Sequence, residues 1–85
     1  MVSYQKAYNF ITKNYKKEEI KNVFKKIQQK VENIKRKSNY KYDDIQIIEA
    51  ILNTKKDMSI ILKMFFILYL AQILNIDFEE EELII

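Results

Sequence analysis

Apolar residues recur at spacings of three and four along most of this chain, which is the period of an amphipathic α-helix. The first apolar stripe runs from Tyr4 to Tyr15 and predicts a short helix over residues 4–13. Ser3 stands just before this stripe, and a serine in that position can accept a hydrogen bond from the first turn of a helix. The first predicted element is therefore an amphipathic helix with one apolar face.

A longer apolar stripe from Ile20 to Ile34 alternates spacings of four and three, as the seam of a coiled coil does. This stripe predicts a second helix over residues 17–37. On one continuous helix the second stripe and the first would face opposite sides. A break near residues 14–17 is therefore expected, because it lets both stripes face the same core.

Residues 38–41 are typical of a loop, and a third helix is predicted over residues 44–52. Asp43 can cap this helix, and Gln46 three residues later completes the pattern of a capping box. The isoleucines and the leucine of this segment lie on one side of the helix. The third helix is therefore also expected to direct one face toward the core.

The fourth predicted helix, over residues 56–75, is apolar on every face. Thr54 and Asp57 repeat the capping pattern in front of it. Between Met58 and Ile76 the strongly polar residues are Ser59, Lys63, Gln72 and Asn75. A helix of this kind is buried on all sides or lies in lipid, and three neighbours, two of them short, are too few to cover it. We therefore expect a core helix that completes its burial against a partner.

Together these elements predict an all-α protein, a small antiparallel four-helix bundle in a single domain over residues 1–85. Helix 4 is expected at its centre. An acidic C-terminal tail follows, with glutamates at 79–82 and then Leu83, Ile84 and Ile85. The chain contains no glycine and no proline, the residues that most often make tight turns, so hairpins and barrels are disfavoured. The absence of cysteine excludes disulfides.

Charge is distributed unevenly along the chain. Residues 13–41 hold eleven lysines and arginines against three glutamates, a net of +8, whereas residues 42–85 hold three lysines against nine acids, a net of −6. The abundance of lysine, isoleucine and asparagine is typical of an AT-rich genome, but codon bias does not sort lysine into one half. A basic helix 2 can neutralise phosphates, although a solvated face is the simpler interpretation. The candidate nucleic-acid contacts are Lys21, Lys25, Lys35 and Arg36.

Few residues in this sequence are suitable for catalysis or for metal binding. There is no histidine and no cysteine, which removes the usual base at neutral pH and the strongest nucleophile. No glycine-rich loop is present to hold a phosphate. The acidic cluster of Asp77 and Glu79–Glu82 lacks the alternating ligands and the glycine turn of a calcium loop. We expect no enzyme activity, no metal site, no cofactor and no small-molecule substrate.

The pattern favours a small interaction or regulatory protein that acts through protein–protein contacts, as a homo-oligomer or as a subunit of an assembly. The acidic tail is expected to be guided onto the basic helix, of the same chain or of a neighbour, while apolar residues contribute most of the binding energy. The predicted interface residues are Phe65, Phe66, Tyr69, Ile73, Phe78 and Leu83.

Two other functions stay open at this point. One is a nucleic-acid-binding regulator that uses the lysines of helix 2. The other is a membrane-associated protein. In small size, basic charge, helical content and AT-rich composition the chain resembles bacteriocin immunity proteins, and this resemblance implies contact of helix 4 or the basic face with lipid. Residues 1–20 hold no unbroken apolar stretch of the kind that a secretion signal needs, so a cytoplasmic location is expected.

Overall fold

The computed structural model describes residues 3–79, and this part of the chain forms four α-helices and no strand. The helices are Tyr4–Asn14 (α1), Lys17–Lys37 (α2), Asp44–Thr54 (α3) and Ile60–Ile73 (α4). The predicted all-α four-helix bundle is confirmed. The predicted break between the first two helices is also confirmed, and it falls at Tyr15 and Lys16.

Side-chain caps determine where the first and third helices begin. The Ser3 Oγ accepts a hydrogen bond from the Lys6 backbone N–H at 3.1 Å. At α3 the Gln46 backbone N–H donates to the Asp43 Oδ1 at 2.8 Å, and the Asp43 N–H donates to the Gln46 Oε1 at 3.0 Å. These bonds satisfy backbone donors at the helix start that have no partner within the helix. Both predicted caps are confirmed.

The junction between α3 and α4 differs from the prediction. α3 continues to Thr54 instead of ending at residue 52, and the Thr54 Oγ1 donates to the Ala50 backbone carbonyl at 2.7 Å. Because that hydroxyl is turned back into α3, it does not cap the next helix. The predicted cap of Thr54 with Asp57 is therefore wrong.

Ser59 sets the start of α4 instead. Its Oγ accepts a hydrogen bond from the Leu62 backbone N–H at 3.2 Å. The helix spans Ile60–Ile73 rather than the predicted 56–75, which leaves it with 14 residues and a length of about 20 Å. Three neighbouring helices cover a helix of this length more completely than the helix of about 30 Å that the sequence predicts.

Two asparagines end helices in a conformation that is usual for glycine. Asn75 has a φ of 56°, and the Ile76 N–H that follows donates to the Ala71 carbonyl at 3.0 Å. After α2, Asn39 has a φ of 54° and the Tyr40 N–H is bonded in the same way. Both arrangements are Schellman motifs, in which a left-handed residue turns the chain back against the helix. Asparagine takes this role because the chain has no glycine, and asparagine is among the few other residues that visit this conformation routinely.

α4 lies at the centre of the bundle and packs against all three other helices, as predicted. Ile11 of α1 and Ile48 of α3 are the largest completely enclosed side chains. Ile27 and Val31 of the heptad stripe of α2 are buried, and the rest of the stripe is half-buried against the core, which confirms that this stripe faces the core. Full burial of such a side chain contributes about 1.5–3 kcal/mol. The buried core consists of Ala7, Ile11, Ile27, Val31, Ile47, Ile48, Ile51, Phe65, Phe66, Leu68, Leu70 and Ala71.

Aromatic contacts show how α1 lies against α4. Tyr8 stacks on Phe78, which follows α4, with ring centroids 4.4 Å apart. Tyr15 meets Phe65 edge to face, with ring centroids 5.1 Å apart. Both geometries are favourable for aromatic rings. Rising residue numbers in α1 therefore face falling numbers in α4, so the two helices are antiparallel.

Candidate functional site

The predicted interface residues of α4 fall into two groups. Phe65 and Phe66 are 4% and 3% exposed, so their own chain already encloses them. Tyr69 and Ile73 lie further along the helix and are half-buried, with part of each side chain at the surface. The interface between chains stays a prediction. Within the predicted set, Tyr69 and Ile73 are the α4 residues that can still contact a partner.

Tyr69 and Ile73 face an open groove between α2 and α4, which we call the α2–α4 groove. The Phe24 ring meets the Tyr69 ring edge to face, with centroids 5.4 Å apart. This aromatic pair and Ile73 form the apolar part of the groove, whose volume is about 430 Å³. The residues that line it are Lys21, Phe24, Lys25, Gln28, Tyr69, Gln72 and Ile73.

The rest of the groove is basic and polar. Lys21 and Lys25 are exposed and lie one turn apart on α2, while Gln28 and Gln72 add amide groups that donate and accept hydrogen bonds. Partial burial raises the pKa of Tyr69 above its ordinary value of 10.0, because burial disfavours the charged phenolate. The groove can therefore hold an apolar side chain against its rings while its lysines pair with carboxylates or phosphates.

The predicted nucleic-acid contacts do not all belong to this groove. The Lys35 Nζ forms an ion pair with the Asp44 Oδ1 at 2.8 Å, which holds the end of α2 to the start of α3. The pKa of Lys35 is raised because its ammonium donates a hydrogen bond to the Asp44 carboxylate. Arg36 is exposed, and its guanidinium donates to an asparagine side chain of its own helix at 2.9 Å. Lys21 and Lys25 line the groove, whereas Lys35 stabilises the pairing of α2 with α3.

The segment after α4 folds back on α1 of the same chain. The Gln5 Nε2 donates to the Glu79 carbonyl at 2.9 Å, and the Gln5 Oε1 accepts from the Glu79 N–H at 3.1 Å. These two bonds and the stacked ring of Phe78 hold the segment to α1 rather than to the basic helix α2. Nothing in the sequence pattern singled out Gln5. Residues 80–85, with the predicted interface residue Leu83, lie outside the described residues.

A second open groove, of about 400 Å³, lies next to the first and shares Phe24 and Gln72 with it. It has no lysine in its lining, and its charged residue is Asp77. The residues that line it are Tyr8, Thr12, Ile20, Phe24, Leu68, Gln72, Asn75, Ile76, Asp77 and Phe78. The α2–α4 groove is therefore the one that combines apolar and basic chemistry.

The first turn of α4 is exposed although it is as apolar as the rest of the helix. Ile60 is 54% exposed, and Ile61 and Leu62 are each 39% exposed. We call these three residues the apolar turn. The sequence pattern predicted uncovered surface further along the helix and not at these three residues. Successive residues of a helix project about 100° apart, so three apolar residues in a row cannot all face the same neighbour. A run of three apolar residues directly after a helix cap was therefore the sequence feature that could have indicated an exposed apolar turn.

Metal binding and membrane crossing can be checked directly on residues 3–79. No group of three or more acidic, histidine or cysteine side chains in this range could hold a metal ion. Over the same range no helix combines the length and the apolar character needed to cross a bilayer.

A scan against models of protein families and searches of curated proteins and of solved structures found no match to this chain. Its function is therefore inferred from the chemistry of its own surface.

Proposed function

We propose that this chain is a non-catalytic protein-interaction module that binds an acidic, apolar segment of a partner protein in the α2–α4 groove. The observation that carries the proposal is an aromatic and aliphatic surface with two exposed lysines in one groove. Phe24, Tyr69 and Ile73 offer the apolar part, and Lys21 and Lys25 lie beside it. A partner segment with both kinds of side chain would match both parts of the groove.

The two parts of the groove would contribute differently to binding. Apolar contact would supply most of the free energy, since burial contributes about 25 cal/mol per Å² of apolar surface. The lysines would guide the approach of the partner and set its orientation, because exposed ion pairs contribute about 1 kcal/mol or less. The expected partner segment therefore has aliphatic side chains next to carboxylates.

A second copy of this chain carries a segment of that chemistry. Its residues 79–82 are four glutamates, and Leu83, Ile84 and Ile85 follow them. The opposite net charges of residues 13–41 and 42–85 favour contact between unlike regions of two copies. Self-association is therefore the first form of the proposal to test, and a different protein with a segment of the same chemistry is the second.

Light scattering at increasing protein concentration tests the proposal. The mass of the native chain should rise with concentration. The double variant Lys21→Glu/Lys25→Glu should stay monomeric, because its new carboxylates repel the glutamates of the partner. Deletion of residues 80–85 should have the same effect, because it removes the segment itself. The control Lys26→Glu/Lys37→Glu makes the same change of charge at exposed α2 positions outside the groove, and should associate more than the groove variant.

Other outcomes of these measurements would contradict the proposal. If the native chain has the mass of one chain at every concentration, and a peptide of residues 77–85 does not bind it, self-association is excluded. If duplex DNA or RNA binds instead, with an affinity that falls steeply as salt rises, the nucleic-acid alternative is favoured. The ion pair of Lys35 with Asp44 counts against that alternative, because it occupies one of the predicted contacts.

A further inference from the structure

The end of the bundle formed by the α3–α4 turn presents the apolar turn in a basic setting. Lys55 and Lys56 are exposed shortly before the apolar turn, and Lys63 follows it on α4. Residues 55–63 contain these three lysines against a single acid, Asp57. Apolar and cationic side chains therefore lie close together in the chain at this end of the molecule.

A fourth lysine, from α2, joins this end. The pKa of Lys30 is lowered because its amine accepts a hydrogen bond from the Lys55 ammonium only when it is neutral. Partial burial and repulsion by the Lys55 charge act in the same direction. The charges of Lys30 and Lys55 repel each other, and an anion beside both would relieve the repulsion. This end therefore offers an anionic partner both charge and apolar contact.

The shape of this end fits the surface of a lipid bilayer better than it fits a pocket in another protein. Ile60, Ile61 and Leu62 project about 100° apart around the start of a helix, so together they form a convex surface. A second copy would bring the same lysines to the contact, and like charges repel. A bilayer surface accommodates a convex apolar group, while lysine stems lie along the apolar region and their ammonium groups reach the phosphates.

We propose that this end of the protein binds the surface of an anionic lipid bilayer. The apolar turn would lie in the boundary between headgroups and acyl chains, with Lys30, Lys55 and Lys56 at the lipid phosphates. The protein rests on the membrane in this arrangement and does not cross it. The contact is independent of the α2–α4 groove, whose α4 residues Tyr69 and Ile73 lie toward the other end of the helix.

Tryptophan fluorescence gives a local test, because the chain contains no tryptophan. Ile61→Trp places the reporter in the apolar turn. The matched control Leu74→Trp places it at a residue that is 42% exposed just beyond the other end of α4. On titration with vesicles of phosphatidylcholine and phosphatidylserine, emission of the Ile61→Trp variant should shift to the blue, whereas emission of the control should stay unchanged. Vesicles of phosphatidylcholine alone should bind much more weakly.

Co-sedimentation with the anionic vesicles tests the charges and the apolar contact separately. Lys55→Gln/Lys56→Gln should weaken binding about 25-fold, because each lysine near an anionic surface contributes about a factor of five. Ile60→Ser/Ile61→Ser should weaken it about 10-fold or more through lost apolar burial. The control Lys6→Gln/Lys37→Gln removes the same net charge at exposed positions outside this end and outside the α2–α4 groove, and should weaken binding far less. All these residues are exposed, so urea unfolding should stay near that of the native chain.

Three results would overturn this proposal. The first is no binding of the native chain to anionic vesicles, and the second is an equal loss from both pairs of lysine variants, which would indicate attraction to net charge alone. The third is a blue shift from the Leu74→Trp control and not from Ile61→Trp. If vesicles do not bind but Ile60→Ser/Ile61→Ser lowers the mass in light scattering, the apolar turn is a protein contact instead. The proposal for the α2–α4 groove has other variants and another readout, so its failure is distinguishable.

Discussion

α4 is apolar along most of its length, yet its own chain encloses its middle and leaves its first turn exposed. The buried residues of the helix lie between Phe65 and Ala71, toward its carboxyl end. The apolar turn at its amino end is exposed, and Ile60 is the most exposed of the three residues. The two regions therefore differ in their neighbours and not in their hydrophobicity.

The length of α1 accounts for much of this difference. Tyr15, which follows the last residue of α1, packs on Phe65. The chain then turns into α2, so α1 does not extend over residues 60–62 of the antiparallel α4. Beyond the other end of α4, the segment of residues 76–79 folds back on α1 and adds the ring of Phe78 to the packing. Burial of an apolar helix is thus set by where its neighbours begin and end.

The largest effect is expected from one alanine substitution in each of these two regions of α4. Phe66→Ala should lower the free energy of unfolding by about 3–5 kcal/mol, because it leaves a cavity in the core. Ile61→Ala should change it by about 0.5 kcal/mol or less, because that side chain is already exposed. Urea unfolding followed by circular dichroism measures both. Losses of similar size would contradict the comparison, since they would mean that both regions are equally buried.

A smaller effect is expected at Asn75, which turns the chain back toward α1. Asn75→Ala should cost about 1 kcal/mol, because an alanine is disfavoured at a positive φ. Asn75→Gly should be neutral or stabilising, because glycine adopts this conformation without steric conflict. Thermal unfolding of the two variants checks the order. If alanine and glycine behave alike, the left-handed turn at Asn75 does not contribute to the stability of the fold.

Gln5 should have a weaker and more local effect. Gln5→Ala removes the two bonds to the Glu79 backbone, which are exposed, so the loss of stability should be about 1 kcal/mol or less. Hydrogen exchange at the Glu79 amide should become faster, while exchange at core amides such as that of Leu68 should change little. Gln29→Ala, at an exposed position of α2, is the control. Unchanged exchange at Glu79 would contradict the role of Gln5.

The ion pair beside the core should have the smallest effect, visible in its dependence on pH. The pKa of Lys35 is raised above its ordinary value of 10.5 by the hydrogen bond to Asp44. From neutral pH up to about 10.5 the pair therefore stabilises the fold fully, and this contribution is lost as the pH rises through the raised value. The difference in stability between the native chain and Lys35→Met should shrink over that range. A difference that is constant with pH would mean that the ion pair does not contribute.

Much of the fold could be predicted from the residues that act locally. The heptad stripe placed Ile27 in the core, and the reciprocal pattern of Asp43 and Gln46 placed the start of α3 correctly. The start of α4 could not be predicted in this way, because Thr54 and Ser59 are both suitable caps. The packing of α3 decides between them, because α3 continues to Thr54 and leaves Ser59 to cap α4. Asn75 was assigned to the helix because its role as a stop depends on a backbone angle that the pattern does not reveal.

The candidate site was predictable only in its parts. Lys21 and Lys25 belonged to a predicted basic surface, Tyr69 and Ile73 belonged to a predicted interface, and Phe24 belonged to the seam of α2. Their meeting in one groove depends on how α2 and α4 are rotated against each other. Helical periodicity defines the faces of each helix but not which faces meet, so the groove requires the structure.

An NMR titration tests the central claim, binding in the α2–α4 groove, most directly. A peptide of residues 77–85 is added to isotope-labelled protein that lacks residues 80–85, so that the groove cannot be occupied by its own tail. The amide signals of Lys21, Phe24, Lys25, Tyr69 and Ile73 should move together and saturate. Signals that do not move at high peptide concentration, or that move mainly at residues 60–62, would contradict the claim.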